Sequence, residues 1–469
     1  MSLTKATYSM IKDGWLNLKD YGAIGDGVTD DNAAWETFIA DCISQKKNGY
    51  IPSGIYLIDS FTFGASASGL VLQGTTYNPF GASFGVQNTV LKLKSASPKF
   101  INMSAVYNMQ ISNISFDGGY YADVVVYFDG AVNTPANIFR SCIFANATVT
   151  TGIIHHYAGG IVGGENNKFY NCFLSQTALN TTPRPAPYRA AFCVKFNNSN
   201  AFLIIYEACE FVGADVLVQQ GGGCAHLLNC KFFDVTTAMI EVLNGTQSFM
   251  VTNAYNEQSN NVPFLKQTAT AGVTSRAPII VIAPILQSVN SGFVLNCQQP
   301  VCIYGGTMLG NIDVNPVATY GLANNIVDSV YFATGYGVTG TGGVTQTISR
   351  GCASNFVSTP SKDYGGLVLA KQSQLLNAGT TLDVTNKTWV DVTNTSPQNV
   401  TGLTGGLVGQ QIVLYFNDGN TTLVDGGNFN LTGSTNVTPT LDSVITFIGR
   451  GAAPGLAPTV WTEVSRSIK

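Results

Sequence analysis

A six-residue frame recurs through the middle of the chain: Phe139-Arg140-Ser141-Cys142-Ile143-Phe144, Phe169-Tyr170-Asn171-Cys172-Phe173-Leu174, Tyr206-Glu207-Ala208-Cys209-Glu210-Phe211 and Leu227-Leu228-Asn229-Cys230-Lys231-Phe232. An earlier copy, Ile111-Ser112-Asn113-Ile114-Ser115-Phe116, has Ile in place of Cys. Successive copies lie 28, 30, 37 and 21 residues apart. Such periods mark a solenoid, in which each unit buries its apolar side only by stacking on the next. Each copy reads as strand, bend, strand. The residue three before the Cys, the Cys itself and the residue two after it point inward. The residue just before the Cys makes the bend, and Asn suits it because it tolerates left-handed backbone angles. With rungs ~4.8 Å apart, Cys142, Cys172, Cys209 and Cys230 stack as a column of small buried hydrophobes. Thiols lying side by side do not face each other as a disulfide requires, and the CxxC pairs of metal sites are absent. Reduced thiols, no metal and no cofactor are therefore expected. Weaker copies follow around Asn253-Ala254-Tyr255, Ala283-Pro284-Ile285, Gly306-Thr307-Met308 and Ser329-Val330-Tyr331.

Upstream, Asp20-Tyr21-Gly22-Ala23, Gly25-Asp26-Gly27 and Thr29-Asp30-Asp31 precede a helix over about 30–45, and Ile51-Pro52-Ser53-Gly54-Ile55-Tyr56 follows it. Thr29 or Asp30 is expected to cap the helix, with Asp31 in its first turn. Trp35, Phe38, Ile39, Cys42 and Ile43 form one apolar stripe, suited to closing the open end of a strand stack. This order of glycines, carboxylates, helix and Pro-Ser-Gly-x-Tyr exit resembles the entry module of pectate-lyase-like β-helix proteins, as found in bacteriophage tailspikes. The resemblance implies an all-β chain: a right-handed parallel β-helix with an N-terminal capping helix and a C-terminal β-sandwich-like domain. It also implies a polysaccharide depolymerase of the virion tail, with a bacterial surface polysaccharide (capsule, exopolysaccharide or O-antigen) as partner.

Of the 469 residues, 45% are hydrophobic and only 11% charged, which suits a turn-rich chain with an uncharged hydrogen-bonding surface. A net charge of −4 without a basic face argues against nucleic acid. No apolar run approaches the ~20 residues of a membrane span, and the N-terminus lacks a signal-peptide core. Leu3 to Met10 resembles the lead-in before phage tail β-helices; either the chain docks through another tail protein, or it has been shortened.

Four segments are expected: a lead-in over 1–16, the entry module over 17–69, the β-helix body over 70–370 and a β-rich domain over 371–469. In the last, strands at 411–416, 421–424, 429–431, 444–448 and 461–464 alternate with glycine turns, a sandwich-like spacing. By resemblance this domain assembles homotrimers or contacts carbohydrate.

The outward residues beside the bend form two columns: Ser112, Arg140, Tyr170, Glu207, Leu228, and Ser115, Ile143, Phe173, Glu210, Lys231. Glu207 and Glu210 thus flank one corner, with Tyr170 and Phe173 a rung above. Paired carboxylates are what glycoside hydrolysis uses, ~6.5–9.5 Å apart for inversion. The same residues also fit an ion-pair ladder with Lys231 and Arg140. The longest interval carries Pro183-Arg184-Pro185-Ala186-Pro187-Tyr188-Arg189, a stiff loop on a rigid scaffold. The expected site is a groove with Glu207, Glu210, Glu165 and Asp215 as catalytic candidates and Arg184, Tyr188, Arg189, Tyr170, His155 and Tyr157 on the sugar. If that face is wrong, Asp234, Glu241 and Glu257 come next. Hydrolysis is favoured. A lyase acting on a uronate-containing glycan, with His155, His156 or Tyr157 as base and an arginine neutralising the uronate carboxylate, or a non-cleaving receptor-binding fibre, remains open.

Overall fold

The computed structural model describes residues 14–75, 88–129, 131–156, 164–176, 189–196, 202–243, 249–256, 262–267, 279–287, 293–297, 301–314, 325–332, 338–339, 347–350, 372–375, 381–384, 387–451 and 456–469. The chain divides into two compact units, the first over 1–346 and the second chiefly over 360–469.

The first unit is a right-handed parallel β-helix. Among the described residues all its strand pairs are parallel. A first face carries Ile111's strand Gln110–Ser112, then Ile138–Arg140, Lys168–Tyr170, Ile204–Glu207 and Ala225–Leu228. One bend residue leads to a second face at 115–117, 143–145, 173–175, 210–212 and 231–233. After a second bend comes a third face at 124–128, 152–156, 192–196, 216–220 and 238–242.

The first bend explains the frame. Asn113, Ser141, Asn171, Ala208, Asn229, Asn253, Ala283 and Ser329 all have φ between 46° and 57°. One left-handed residue turns the chain sharply, so the flanking residues keep a fixed inside-outside order. Cys142, Cys172, Cys209 and Cys230 are fully buried in one column. Each thiol reaches back to the carbonyl of the previous rung, Cys172 to Phe139, Cys209 to Phe169 and Cys230 to Tyr206, at 3.3 to 3.7 Å. Burial pushes the Cys142 and Cys209 thiols well above the ordinary value. Native protein should therefore leave these four thiols unmodified by a thiol reagent that reacts fully once the chain is unfolded. A Cys142–Cys172 disulfide in non-reducing mass spectrometry would contradict the column.

Beside the thiols run aromatic stacks. Phe139, Phe169 and Tyr206 stack with their rings nearly parallel, at 4.9 and 4.4 Å. Phe128, His156 and Phe196 repeat the arrangement at 4.5 and 4.9 Å. Where the chain enters the first face, Asn137 and Asn167 form a buried amide ladder: the Asn137 N–H donates to Asn167 Oδ1 at 2.9 Å. Such satisfied polar groups allow a turn to be buried at small cost.

The capping helix spans Asn32–Ser44 and buries Trp35, Phe38, Ile39 and Cys42. Its start differs from the expected cap: Asp31 is the N-cap, and its side chain makes no bond to the helix. Its buried carboxylate instead accepts from the Ile24 and Gly25 N–H groups at 2.7 and 3.2 Å. Asp30 takes the Asn32 N–H at 3.0 Å, and Asp26 holds Val28 and Thr29. Gly25 is needed for two reasons, a φ of +69° and a Tyr56 ring 2.7 Å from where a Cβ would stand.

In the second unit, a six-stranded sheet runs Gln372–Leu375, Trp389–Thr393, Gln411–Phe416, Ser443–Arg450, Val460–Ser467, Phe429–Asn430. Two short parallel pairs, Thr381–Asp383 with Gly402–Thr404 and Gln398–Val400 with Thr421–Leu423, complete it. Its own core includes Val390, Leu414, Phe447 and Trp461. Among the described strands, 411–416, 443–450 and 460–467 pair antiparallel, and the other strand pairs are parallel like those of the solenoid. No helix among the described residues is long and apolar enough to cross a membrane.

Candidate functional site

Both expected corner columns are present in register: Arg140 beside Ser112 and Tyr170, Tyr170 beside Glu207, Glu207 beside Leu228. Phe173, Glu210 and Lys231 neighbour one another across the bend. Glu207 and Glu210 are both half-buried. The surroundings differ from the expected exposed aromatics. Arg140 covers the Tyr170 ring at 4.3 Å rather than reaching towards Glu207. Phe173 is buried in a separate apolar cluster with Ile143, Ala145 and Val212 on the outside of the second face.

The remaining catalytic candidates are not gathered at this corner. Glu165 is exposed and lies before the first-face strand Lys168–Tyr170, on the far side of the left-handed Asn166 from the corner. Asp215 lies beyond the left-handed Gly213 from Glu210, at the second bend. There its exposed carboxylate accepts from Thr236 Oγ1 at 2.7 Å and stands 3.9 Å from Arg189 Nε.

Arg189 does not present itself to a sugar as expected. It is 3% exposed, and its fork is spent inside the wall. Nη1 donates to the Ala214 and Asp234 carbonyls at 3.0 and 2.8 Å, and Nη2 to Asp234 Oδ1 at 2.8 Å. Asp234 is buried too, in the left-handed region at φ +57°. The pair anchors the exit of the insertion to two later rungs. Arg184, Tyr188, Tyr157 and Glu257 lie outside the described residues.

The third face gathers what sequence reasoning left scattered. Residues pairing rung to rung down its outer side are Asn102, Tyr127, His155, Lys195, Gln219, Glu241 and Lys266. Side chains alternate along a strand, so Phe128, His156, Phe196 and Val242, next to them, enter the core. Outward residues of an open sheet are normally well hydrated, yet Tyr127, His155 and Gln219 are only 8%, 9% and 7% exposed. The column is sunk. His155 meets the Tyr127 ring edge-on at 5.7 Å, and the Lys99 ammonium sits 3.5 Å above that ring. Lys195 lies over Phe192 at 4.8 Å. Gln219 Nε2 donates to Glu241 Oε2 at 2.7 Å, and Lys266 pairs with Glu241 at 3.6 Å.

Burial, helped by Lys195 and Lys99, pulls the His155 pKa down to about 4. At neutral pH it is an uncharged imidazole, able to accept a proton or a hydrogen bond. His156 is different: it faces inward, bonds the Tyr206 hydroxyl at 3.2 Å and is held down to about 3 by burial. It is a core residue with no route to a substrate. No group of three or more His, Cys, Asp or Glu among the described residues is arranged to hold a metal.

No curated protein matches the sequence. Among solved structures, the Dettilon tailspike protein is 12% identical, with a TM-score of 0.44 over 92% of this chain and 76% of that one. The enzymatically active domain of tailspike protein 4 of bacteriophage CBA120 is 14% identical, at 0.45 over 74% and 45%. A Geobacillus virus E2 protein is 12% identical, at 0.40 over 97% and 76%. The family model described as rhamnogalacturonase A/epimerase, pectate lyase-like, matches residues 15–171, so the entry module and first rungs carry the pectate lyase-like pattern.

Proposed function

We propose that this chain binds and depolymerises a bacterial surface polysaccharide along the third face, as part of a phage tail. The observation that carries the reading is the sunk column of Tyr127, His155, Lys195, Gln219 and Glu241. Hydrogen-bonding groups and aromatic rings repeat there every ~4.8 Å along one line, a pattern that suits a linear chain of sugars. The pectate lyase-like match over the first rungs names a carbohydrate-acting family and supports the same class.

The reaction is taken as hydrolysis, with Asp215 as the acid–base group. It is the exposed carboxylate that Thr236 orients beside this face. Asp215→Asn should lower turnover ~10²–10⁴-fold with the fold intact. Glu207→Gln with Glu210→Gln, on another face, should stay within a few-fold of the parent. The opposite result in the two variants would move the chemistry to the corner. One observation favours a second reading, elimination: His155 is neutral at pH 7 and lies near two ammonium groups. Purified capsule or O-antigen separates these. New reducing ends alone mean hydrolysis, while ends absorbing in the ultraviolet mean elimination. Binding without shortening would leave a receptor-binding fibre and defeat the proposal.

A homotrimer is part of the same reading, since a chain with only 11% charged residues exposes broad uncharged faces. Light scattering should give three times the chain mass of 49.7 kDa; a stable monomer would exclude it.

A further inference from the structure

Where the second face passes into the third, two carboxylates occupy equivalent places three rungs apart. Asp123 precedes Val124 and Asp215 precedes Val216, and Val124 reaches Val216 in register through Gly152 and Phe192. Each accepts a threonine hydroxyl from the next rung: Thr148 Oγ1 donates to Asp123 at 3.0 Å, and Thr236 Oγ1 to Asp215 at 2.7 Å. The hydroxyl bond is therefore not what sets Asp215 apart. The difference lies in the wall behind it. Arg189, buried there, turns its Nε towards Asp215 Oδ1 at 3.9 Å, whereas no ion pair reaches Asp123 among the described residues.

The guanidinium faces two ways. Its Nη1 and Nη2 edge is held by the Ala214 and Asp234 carbonyls and by Asp234 Oδ1, while its Nε edge faces Asp215. A buried ion pair stabilises a bend little compared with apolar packing of the same volume. A guanidinium is, however, a rigid planar fork that fixes direction as well as charge. Both contacts to Asp215 fall on Oδ1. Oδ2 has no hydrogen bond or ion pair among the described residues, and the side chain is 52% exposed.

We propose that Arg189 and Thr236 are positioning residues: together they pin Oδ1 of Asp215, so that Oδ2 alone is presented to the sugar, and Asp234 in turn fixes Arg189. The inference rests on Asp215 being the acid–base group and adds what aims it. A carboxylate held by one oxygen keeps a single rotamer, and misplacing a reacting group by ~1 Å costs up to ~10²-fold in rate. Contacts of this kind are commonly long without substrate and tighten in its complex, which suits the 3.9 Å separation. Asp123, with a hydroxyl and no guanidinium, has no part in the reaction.

Thr236 is exposed, so Thr236→Val tests the idea without disturbing the wall. On purified capsule or O-antigen that the parent shortens, Thr236→Val and Arg189→Lys should each lower kcat ~10-fold with KM within about twofold. Thr148→Val should leave both constants at the parent values. In an Asp215→Asn background neither substitution should lower turnover further, because each acts only through that carboxylate. Thr236→Val at parent kcat would overturn the proposal, as would further losses in the Asp215→Asn background. Arg189→Lys with a lowered thermal midpoint but parent kcat would reduce Arg189 to a wall anchor. The catalytic assignment is tested apart. Asp215→Asn at parent turnover removes the assignment and the positioning together, whereas a defective Asp215→Asn beside unaffected Thr236→Val and Arg189→Lys removes the positioning alone. If no polysaccharide is cut, crystals decide: Asp215 should hold one rotamer in the parent and more than one in Thr236→Val. An unchanged single rotamer there overturns the pinning.

Discussion

Arg189→Ala should destabilise the β-helix by about 3–5 kcal/mol, one of the largest effects open to a single substitution here. The cause is Asp234, whose side chain is 1% exposed and loses its charged partner when the guanidinium is removed. The Ala214 and Asp234 carbonyls also lose their donor. Arg189→Lys should recover part of the loss, since an ammonium restores charge but not the planar fork. Removing both partners, in Arg189→Met with Asp234→Ala, should cost clearly less than Arg189→Ala alone. The measurement is the thermal midpoint at a fixed scan rate. An Arg189→Ala midpoint within 1–2 °C of the parent would show that the pair anchors nothing. Asp215 orientation should suffer in the same variant, so stability and turnover ought to fall together.

A second large effect is a loss of stability in mild acid. His155 and His156 have folded pKa values of about 4 and about 3, below the ~6.5 of an unfolded chain. The unfolded state therefore binds their protons first. The stability these neutral rings confer is complete above about pH 6.5. It drains away as the pH falls through the folded values, at about 1.4 kcal/mol per unit of depression for each ring. Asp117 works in the opposite sense: burial raises its pKa, so protonation favours the folded state at low pH. It acts against the loss. His156→Phe replaces the ring inside its own stack of Phe128 and Phe196, and should flatten the decline between pH 6 and pH 4. An unchanged pH profile in that variant would mean that His156 titrates normally.

The corner was legible because a single left-handed residue separates its two strands. Counting from Ser141, Asn171, Ala208 or Asn229 places the residues on either side without error, so the thiol column and the Glu207 and Glu210 positions follow directly. The third face was not legible by the same count. Tyr127, His155, Lys195, Gln219 and Glu241 neighbour one another in space, yet lie 28, 40, 24 and 22 residues apart. Loops of unequal length, and bulges in the pairing between Asp117 and Val124 and between Ala214 and Val216, intervene. No local pattern carries that register. Arg189 was misjudged for a related reason: a charged residue at the end of a proline-rich stretch looks exposed. Its burial depends on Asp234, 45 residues later. In the second unit, strand positions such as 411–416 followed from apolar alternation, whereas parallel pairing depends on partners distant in sequence.

The thiols that reach back one rung also bear on how such a shaft responds to force. Pulled along its axis, every rung carries the same tension in series, and within a rung the backbone hydrogen bonds share it in parallel. The Cys172, Cys209 and Cys230 contacts add a short tie across each gap that slides little before it bears load. Rungs contact only their neighbours, so rupture at one weak layer does not demand the loss of the rest. Extension should therefore appear as a staircase of small steps, with the Cys-lined layers yielding last.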